Sequence, residues 1–199
     1  MEQYTITIAR EFGSLGRSVA QRLAEKLGIM YYDRDIVDQV AKQLNLPVSQ
    51  VSDAEERSRR SFFSHMFPLG TDEEYIQDMI FDVQKDIILD LAHKSSCIIV
   101  GRCSDFLLQN EENVMNVFIY APYHARLENC VTKLGMSEEQ AKRMIMRVDK
   151  ARNAYHKKYA GYLPSDVLHK HLMIDSSVLG TDQTAEVLAD VVKKKFPWA

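Results

Sequence analysis

Residues 6–18 read ITIAREFGSLGRS, and this stretch is the most informative segment of the chain. It begins in a short apolar run, residues 4–9, passes through two glycines, and continues into a segment of helical period that extends to Leu27. A strand that turns through glycines directly into a helix brings backbone N–H groups and the positive end of a helix dipole to one point. The stretch therefore predicts a phosphate cradle. The predicted cradle residues are Gly13, Ser14, Leu15, Gly16, Arg17 and Ser18.

The end of this stretch is close to the Walker pattern G-x-x-x-x-G-K-[ST]. Gly16, Arg17 and Ser18 stand where the pattern has Gly, Lys and Ser or Thr, whereas Glu11 stands at its first glycine. Arginine binds phosphate oxygens through a planar fork, which differs from the point charge of lysine. Ser18 keeps the hydroxyl that would ligate magnesium. The alternative interpretation is a glycine-containing strand-to-helix turn with a surface arginine.

Five short apolar runs along the chain predict buried strands. They are residues 4–9, 29–32, 97–100, 114–120 and 172–174. Segments of helical period lie between them, and this alternation is typical of an α/β fold whose parallel sheet is covered by helices on both faces. The clearest helix is predicted over residues 72–93, because its apolar positions recur every three or four residues.

Capping signals predict further helix boundaries. Ser137 begins a Ser-Glu-Glu-Gln capping-box pattern, and Gly135 is predicted to end the helix before it. The last helix is predicted to begin near Thr181 and Asp182 and to end at residues 196–197. The side chains expected to face inward from it are Val187, Leu188, Val191 and Val192.

Two polar stretches interrupt the alternation of strands and helices. They cover about residues 45–71 and about residues 136–162, and neither is bounded by a repeat, a low-complexity segment or a linker. Residues 1–199 are therefore predicted to form a single domain that carries two mobile insertions.

The bulk composition excludes several classes of protein. The 25 basic and 28 acidic side chains give a formal net charge of −3, which excludes nucleic-acid binding driven by bulk charge. Three irregularly spaced cysteines suit a reducing compartment better than a disulfide framework or a zinc site. No signal-peptide pattern is present, and no apolar run approaches the roughly 20 residues that span a bilayer. We expect a cytoplasmic protein that acts on neither nucleic acids nor membranes.

Charged side chains follow two further predicted strands. Asp33 comes directly after residues 29–32, and Arg102 comes shortly after residues 97–100. The carboxyl ends of parallel strands meet at one edge of the sheet, where ligands collect in open α/β folds. We therefore expect Asp33 and Arg102 to lie beside the cradle. The alternative for Asp33 is a cap on the helix that follows it, and for Arg102 a structural ion pair.

Four segments together resemble the cytidylate kinase-like family of P-loop nucleoside monophosphate kinases. They are residues 9–17 (AREFGSLGR), 31–35 (YYDRD), 98–105 (IIVGRCSD) and 147–155 (RVDKARNAY). The first carries arginine where most P-loops have lysine, as is typical of this family. The third is similar to its IVGR signature with a following aspartate, and the fourth is similar to its lid. In order and spacing the resemblance covers nearly the whole chain.

The resemblance implies a three-layer P-loop core with a five-stranded parallel sheet. The insertion at about residues 45–71 would bind the acceptor, and the insertion at about residues 136–162 would be a closing lid. ATP would be the phosphoryl donor, and Mg²⁺ would be held by Ser18 and, through a water, by Asp33.

The resemblance also suggests how the acceptor is held. Arg102 is expected to bind the acceptor's phosphate bidentately, with Asp33 nearby, while Gly101 lets the backbone approach. Asp105 would orient Arg102 or contact the acceptor base. The alternative for Asp105 is a carboxylate at the start of a helix.

The lid is expected to supply the remaining catalytic cations. Phosphoryl transfer spreads charge over the migrating group, so Arg147 and Arg152 are expected to act with Arg17 in neutralising it as the lid closes. The alternative is a charge-rich surface helix. Arg126, after the fourth strand, could stack on the donor adenine or remain solvated.

Three functions remain open at this point. The first is an ATP-dependent kinase that phosphorylates a nucleoside monophosphate such as CMP. The second is a kinase of another small metabolite on the same fold. The third is a non-catalytic nucleotide-binding sensor with a degenerate P-loop. It stays open because Glu11 and Arg17 depart from the Walker pattern. An apolar patch within residues 62–67 could pack on the base, close a homodimer interface or fill a minor core.

Overall fold

A computed structural model describes residues 3–49, 51 and 72–198, with the side chains of residues 72–74 excepted. Its strands form one sheet in the order β2-β3-β1-β4-β5, and all neighbouring strands pair in parallel. The strands are β1 (Thr5–Arg10), β2 (Met30–Tyr32), β3 (Cys97–Val100), β4 (Val114–Tyr120) and β5 (Leu172–Asp175). The predicted five-stranded parallel sheet is confirmed, and each predicted strand end lies within one residue of the observed one.

Helices connect the strands and cover both faces of the sheet. They are α1 (Gly16–Leu27), α2 (Arg34–Leu44), α3 (Asp72–Lys94), α4 (Ser104–Leu107), α5 (Tyr123–Thr132), α6 (Glu138–Ala160) and α7 (Ser176–Lys195), with a 3₁₀ turn at Val167–His169. The capping box at Ser137 is confirmed, because its hydroxyl accepts from the Gln140 N–H and the Gln140 side chain accepts from the Ser137 N–H.

The sheet separates the two larger apolar clusters of the core, and a smaller third cluster lies between α5 and α6. One cluster joins α1 and α7 to Ile98 and Val100 of β3, and the other joins α2 and α3 to Cys97 and Ile99 of the same strand. Successive side chains of a strand point to opposite faces, so a strand covered on both faces must be apolar at every position. This explains why β3 reads as an uninterrupted apolar run.

One predicted helix boundary is confirmed, and the other is confirmed in part. The left-handed Gly135 (φ 68°) closes the end of α5, and the Met136 N–H donates to the Cys130 carbonyl oxygen. Helix α7 has an additional first turn from Ser176, where the Asp175 side chain accepts from the Ser177 N–H, and its longer part begins after Gly180, at the predicted Thr181.

The inward face of α7 also differs from the prediction at one position. Gly180, with φ 72° and ψ −178°, interrupts the helix after that first turn. The buried stripe beyond it contains Leu188 and Val192, whereas Val187 lies off the stripe and is exposed.

The two predicted insertions differ in how much of them the structure describes. Most of the stretch at about 45–71 lies outside the described residues, and so does the apolar patch within residues 62–67. The stretch at about 136–162 contains the long helix α6. Within the described ranges, no helix is both long and apolar enough to cross a membrane.

Candidate active site

The loop between β1 and α1 leaves the N-terminus of α1 open to an anion. Gly13 (φ 81°) and Leu15 (φ 59°) adopt left-handed conformations, and the turn that they form leads directly into Gly16, the first helical residue. The cap residue Leu15 has no side-chain hydrogen bond to offer, and the first turn of α1 carries no acidic residue. The helix dipole and the first amides of α1 therefore present an anion-binding site.

Neighbouring elements hold the loop rigidly. The Ser14 hydroxyl donates to the Glu11 carbonyl oxygen at 2.9 Å, and the Ser176 hydroxyl donates to the Ser14 carbonyl oxygen at 2.6 Å. A Cβ at Gly13 would lie 2.8 Å from the backbone oxygen of Arg126, so helix α5 packs directly against the loop. Glu11, which departs from the Walker pattern, accepts from the Ala121 N–H at 3.2 Å and joins the loop to the end of β4.

Asp33 lies at the N-cap position of α2, but it does not act as a cap. Its side chain makes no hydrogen bond to that helix. Oδ2 lies 2.5 Å from Arg17 Nε, and Oδ1 lies 3.1 Å from Arg102 Nη1. Burial raises the pKa of Asp33, but the neighbouring guanidinium groups outweigh it and hold that pKa below its ordinary value. The carboxylate is therefore charged, and the predicted meeting of Asp33, Arg102 and the cradle is observed.

Arg102 reaches Asp33 through a strained turn after β3. Gly101 (φ 78°), Arg102 (φ 56°) and Cys103 (φ 52°) are all left-handed. Left-handed backbone costs on the order of 1–3 kcal/mol at a residue that is not glycine, and such strain is concentrated at functional sites. The turn directs Arg102 back along the strand, so that its Nη1 also donates to the Val100 carbonyl oxygen at 2.9 Å.

A cleft of about 480 Å³ opens between these elements. The arginines that line it are Arg10, Arg17, Arg34, Arg102 and Arg152, and the acidic residues are Asp33, Asp38 and Asp105. Because Asp33 is already bound by two of the arginines, the cleft is suited to an anionic ligand.

Asp105 lies at the centre of a buried polar cluster at the edge of this cleft. Its carboxylate accepts from Lys170 Nζ at 2.5 Å, from His156 Nε2 at 3.0 Å and from the Tyr162 hydroxyl at 3.3 Å. His156 Nδ1 lies 2.9 Å from the Tyr162 carbonyl oxygen. The cluster joins α4, α6 and the segment before β5.

Two of the predicted lid arginines lie in different places. Arg152 lines the cleft, and its Nη1 donates to the Arg10 carbonyl oxygen at 3.3 Å. Arg147 is exposed, outside the residues that line the cleft, and its Nη2 lies 2.9 Å from the Met144 sulfur. In this conformation the structure brings Arg152, but not Arg147, together with Arg17.

Arg126 is buried rather than solvated, and it braces the loop. Its guanidinium binds Asp149 Oδ2 at 2.5 Å and donates to the Phe12 carbonyl oxygen at 3.2 Å. Asp149 Oδ1 in turn accepts from the Phe12 N–H at 2.8 Å. Both polar groups of Phe12 are thereby held by one ion pair, which connects helices α5 and α6 to the loop.

Comparison with known proteins agrees with this geometry. The profile of the cytidylate kinase-like family matches residues 5–178. The chain belongs to this family.

Individual relatives of this cytidylate kinase-like chain are distant. It is 22% identical to a cytidylate kinase of Aeropyrum pernix over 92% of this chain and 95% of the relative. It is similar in structure to an uncharacterized protein from Eubacterium ventriosum, with a TM-score of 0.73, 25% identity, and coverage of 96% and 99% of the two chains. A shikimate kinase from Acinetobacter baumannii, solved with shikimate, shares the fold at a TM-score of 0.55, 12% identity, and coverage of 98% and 95%. The core is thus that of the P-loop kinases.

Few side chains of this cytidylate kinase-like site could bind a magnesium ion. The described residues contain no group of three or more His, Cys, Asp or Glu that could hold a metal ion. Mg²⁺ in kinases is commonly bound by one or two protein ligands together with substrate phosphates. Ser18 in the first turn of α1 and Asp33 in the cleft fit such a small set. Asp33 Oδ2 contacts Arg17 Nε in this conformation.

Sequence reasoning missed several residues of this site, among them Arg10, His156 and Lys170. Arg10 ends β1, and charged side chains at the carboxyl ends of parallel strands were the signal that selected Asp33 and Arg102. The same signal could therefore have found Arg10. His156 and Lys170 carry no comparable signal, because only the packing of α6 and the segment before β5 brings them to Asp105.

The ion pair that braces the loop leads to a prediction. Replacing Asp149 by alanine should lower the free energy of unfolding by about 1.5–3 kcal/mol, because it removes charge-assisted hydrogen bonds to Arg126 and the Phe12 N–H. ATP should also bind more weakly, because the loop loses its brace. Urea denaturation and calorimetry measure the two effects. The matched control is Asp182→Ala, which removes an exposed carboxylate paired with Arg22. Equal losses of stability in the two variants would contradict the brace.

Proposed function

We propose that this cytidylate kinase-like chain is an ATP-dependent phosphotransferase that moves the γ-phosphoryl group of ATP to a nucleoside monophosphate such as CMP. The observation that carries the proposal is the convergence of an open helix N-terminus and five arginines on one cleft at the carboxyl ends of β1, β2 and β3. Phosphoryl transfer needs positioning and charge neutralisation more than covalent chemistry, and this cleft offers both. Membership of a kinase-like family supports the reaction class, and the relative from Aeropyrum pernix supports CMP.

The residues take the following roles in the proposal. Gly13, Ser14, Leu15 and Gly16 hold the phosphates of ATP through backbone amides, and Arg17 and Ser18 hold them through side chains. Bound Mg²⁺, held by Ser18 and through water by Asp33, would neutralise phosphate oxygens. Arg102 binds the acceptor phosphate. Asp105 shapes the acceptor side by holding His156 and Lys170, and Arg126 acts on the donor side by holding the loop. Arg152, with Arg147 on closure of the lid, acts on the migrating group.

A kinase of another small metabolite is the second candidate. One observation favours it: a shikimate kinase has the same fold, and the two structures are similar along nearly the whole chain. Fold does not determine the acceptor, so the choice between the candidates depends on which molecule is phosphorylated.

The test is a screen of the purified protein with ATP and magnesium against the nucleoside monophosphates, shikimate and gluconate, following release of ADP. We expect release with CMP to exceed release with every other acceptor. Release with a non-nucleotide acceptor alone would favour the second candidate. ATP binding without ADP release for any acceptor would support the sensor hypothesis instead.

The role of Arg17 leads to a separate prediction. A ligand present at about 100 times its Kd stabilises the folded protein by roughly 2.7 kcal/mol, so ATP with magnesium should raise the melting temperature. Arg17→Ala should remove most of this shift. The apo variant should remain folded, because the Arg17 side chain is half exposed. The matched control is Arg22→Ala, an exposed arginine of the same helix that pairs with Glu25 and Asp182. An undiminished response to ATP in Arg17→Ala would exclude the assigned role.

A further inference from the structure

Arg10 lines the cleft, but it has no role in the proposed function. It is the last residue of β1, and its side chain is 14% exposed. The side chain starts at the phosphate loop, because a Cβ on Gly16 would lie 2.8 Å from the Arg10 Cβ. Its guanidinium ends beside the turn after β3, where a Cβ on Gly101 would overlap Nη1. Arg10 thus reaches from the donor loop to the acceptor side of the cleft.

Gly101 and Gly16 create the space that Arg10 occupies. Any side chain at Gly101 would displace the guanidinium, and any side chain at Gly16 would collide with the aliphatic stem. Gly101 was expected to allow close approach of its backbone to a ligand. The Arg10 guanidinium occupies the space beside Gly101 instead, so a ligand there would meet a charged side chain and not the backbone.

The charge of Arg10 is poorly compensated. Its nearest carboxylate oxygen among the described residues is Asp33 Oδ1 at 3.9 Å, beyond hydrogen-bonding distance. Asp33 is also shared with Arg17 and Arg102, which lie closer to it. The surroundings are suited to a further anion that would bind Arg10 directly.

The acid–base balance of the group agrees with this geometry. Burial, followed by the positive charge of Arg152, lowers the pKa of Arg10 to about 9. A cation whose pKa is lowered by folding destabilises the apo protein for as long as it stays protonated. An anion bound beside Arg10 would remove the penalty.

We propose that Arg10, whose guanidinium fills the space beside Gly101, binds the phosphate oxyanion of the acceptor. The inference rests on the proposed function and adds to it a phosphate-binding residue on β1, beside Arg102. The acceptor is chosen over the donor because the guanidinium ends at the carboxyl end of β3, whereas only the stem lies against the phosphate loop. The ligand class is a phosphate monoester, which forms charge-assisted hydrogen bonds with arginine.

The experiment is a titration with inorganic phosphate at constant ionic strength, followed by thermal melting. The protein is first saturated with magnesium and a non-hydrolysable ATP analogue, so that phosphate cannot occupy the donor loop. The parent should be stabilised by phosphate, and Arg10→Met should bind phosphate about 10-fold more weakly or worse. The matched control Arg22→Met, which removes the same charge from an exposed site, should stay within about twofold of the parent.

Two further measurements separate binding from a structural role. Without anions, Arg10→Met should melt at or above the temperature of the parent, because the variant removes a cation that burial disfavours. Gly101→Ala should weaken phosphate binding in the parent background and have a smaller effect in the Arg10→Met background, because the two changes remove the same interaction. Additive effects of the two changes, or a lower melting point of Arg10→Met, would contradict the proposal.

The proposed function and the proposed role of Arg10 can be disproved separately. If the protein releases no ADP with any nucleoside monophosphate but phosphate binding still depends on Arg10, the proposed function is wrong while the anion site stands. If phosphate does not stabilise the parent, or Arg10→Met weakens the ATP analogue and not phosphate, the proposed role of Arg10 is wrong whatever the activity.

Discussion

We expect Arg152→Ala to lower kcat by about 100-fold or more while the affinity for ATP changes little. Arg152 is the arginine of α6 that lines the cleft, where it contacts the Arg10 carbonyl oxygen. An arginine that acts on the migrating phosphoryl group stabilises the transition state more than the bound substrates, so its loss appears in kcat. Arginines of this kind contribute about 10³–10⁵ in the best-studied systems, and neighbouring cations should reduce that figure here.

Two further variants provide comparisons for Arg152→Ala. Arg22→Ala removes an exposed arginine outside the cleft and should leave kcat within about twofold. Arg147→Ala should have a smaller effect than Arg152→Ala, because the Arg147 guanidinium lies at Met144 on the exposed surface of α6. Steady-state kinetics and ATP calorimetry measure both quantities. If Arg152→Ala raised KM and left kcat unchanged, the residue would contribute binding alone.

The largest effect on stability is expected at Asp105. Replacing it by alanine should lower the free energy of unfolding by about 3–5 kcal/mol, because the buried cation Lys170 loses the carboxylate that compensates it and the buried His156 loses a hydrogen-bond partner. The matched control is Asp78→Ala. Asp78 pairs with Lys158 of α6 but is 52% exposed, so its loss should cost less than about 1 kcal/mol. Urea denaturation of both variants measures the difference, and equal losses would contradict the account of this cluster.

The same cluster predicts how stability depends on pH. Burial raises the pKa of Asp105, but hydrogen bonds and charge from His156 and Lys170 outweigh it and lower that pKa from 3.8 to about 2. A carboxyl whose pKa is lowered by folding stabilises the protein above its unfolded pKa, and this contribution is lost as the pH falls from about 4 to about 2. In Asp105→Asn this part of the acid sensitivity should be absent. Urea midpoints measured between about pH 2 and 6 test the prediction, and parallel curves for parent and variant would contradict it.

Much of the fold could be predicted because its signals are local. The apolar run of β3, the glycines before α1 and the capping box at Ser137 each depend on a few neighbouring residues. Short-range sterics and side-chain periodicity decide such features, whatever the rest of the chain does. The expected meeting of Asp33, Arg102 and the loop follows from the same patterns, because parallel strands place their carboxyl ends at one edge of the sheet.

The order of the strands and the partners of the charged side chains were decided only by the tertiary structure. Asp33 stands where a helix cap is expected, yet it binds Arg17 and Arg102, which follow other strands. Arg126 was expected at the donor base or in solvent, and it pairs with Asp149 of a different helix.

The sheet, the phosphate loop and the edge where the site lies could thus be predicted from the sequence. Which cations remain for a ligand depends on how the chain is packed. The physical reason is that a carboxylate is attracted to every arginine and lysine in the chain, and nothing local distinguishes among them. The partner is chosen by which strands become neighbours and by how deeply each pair is buried, because burial determines how strongly two charges interact.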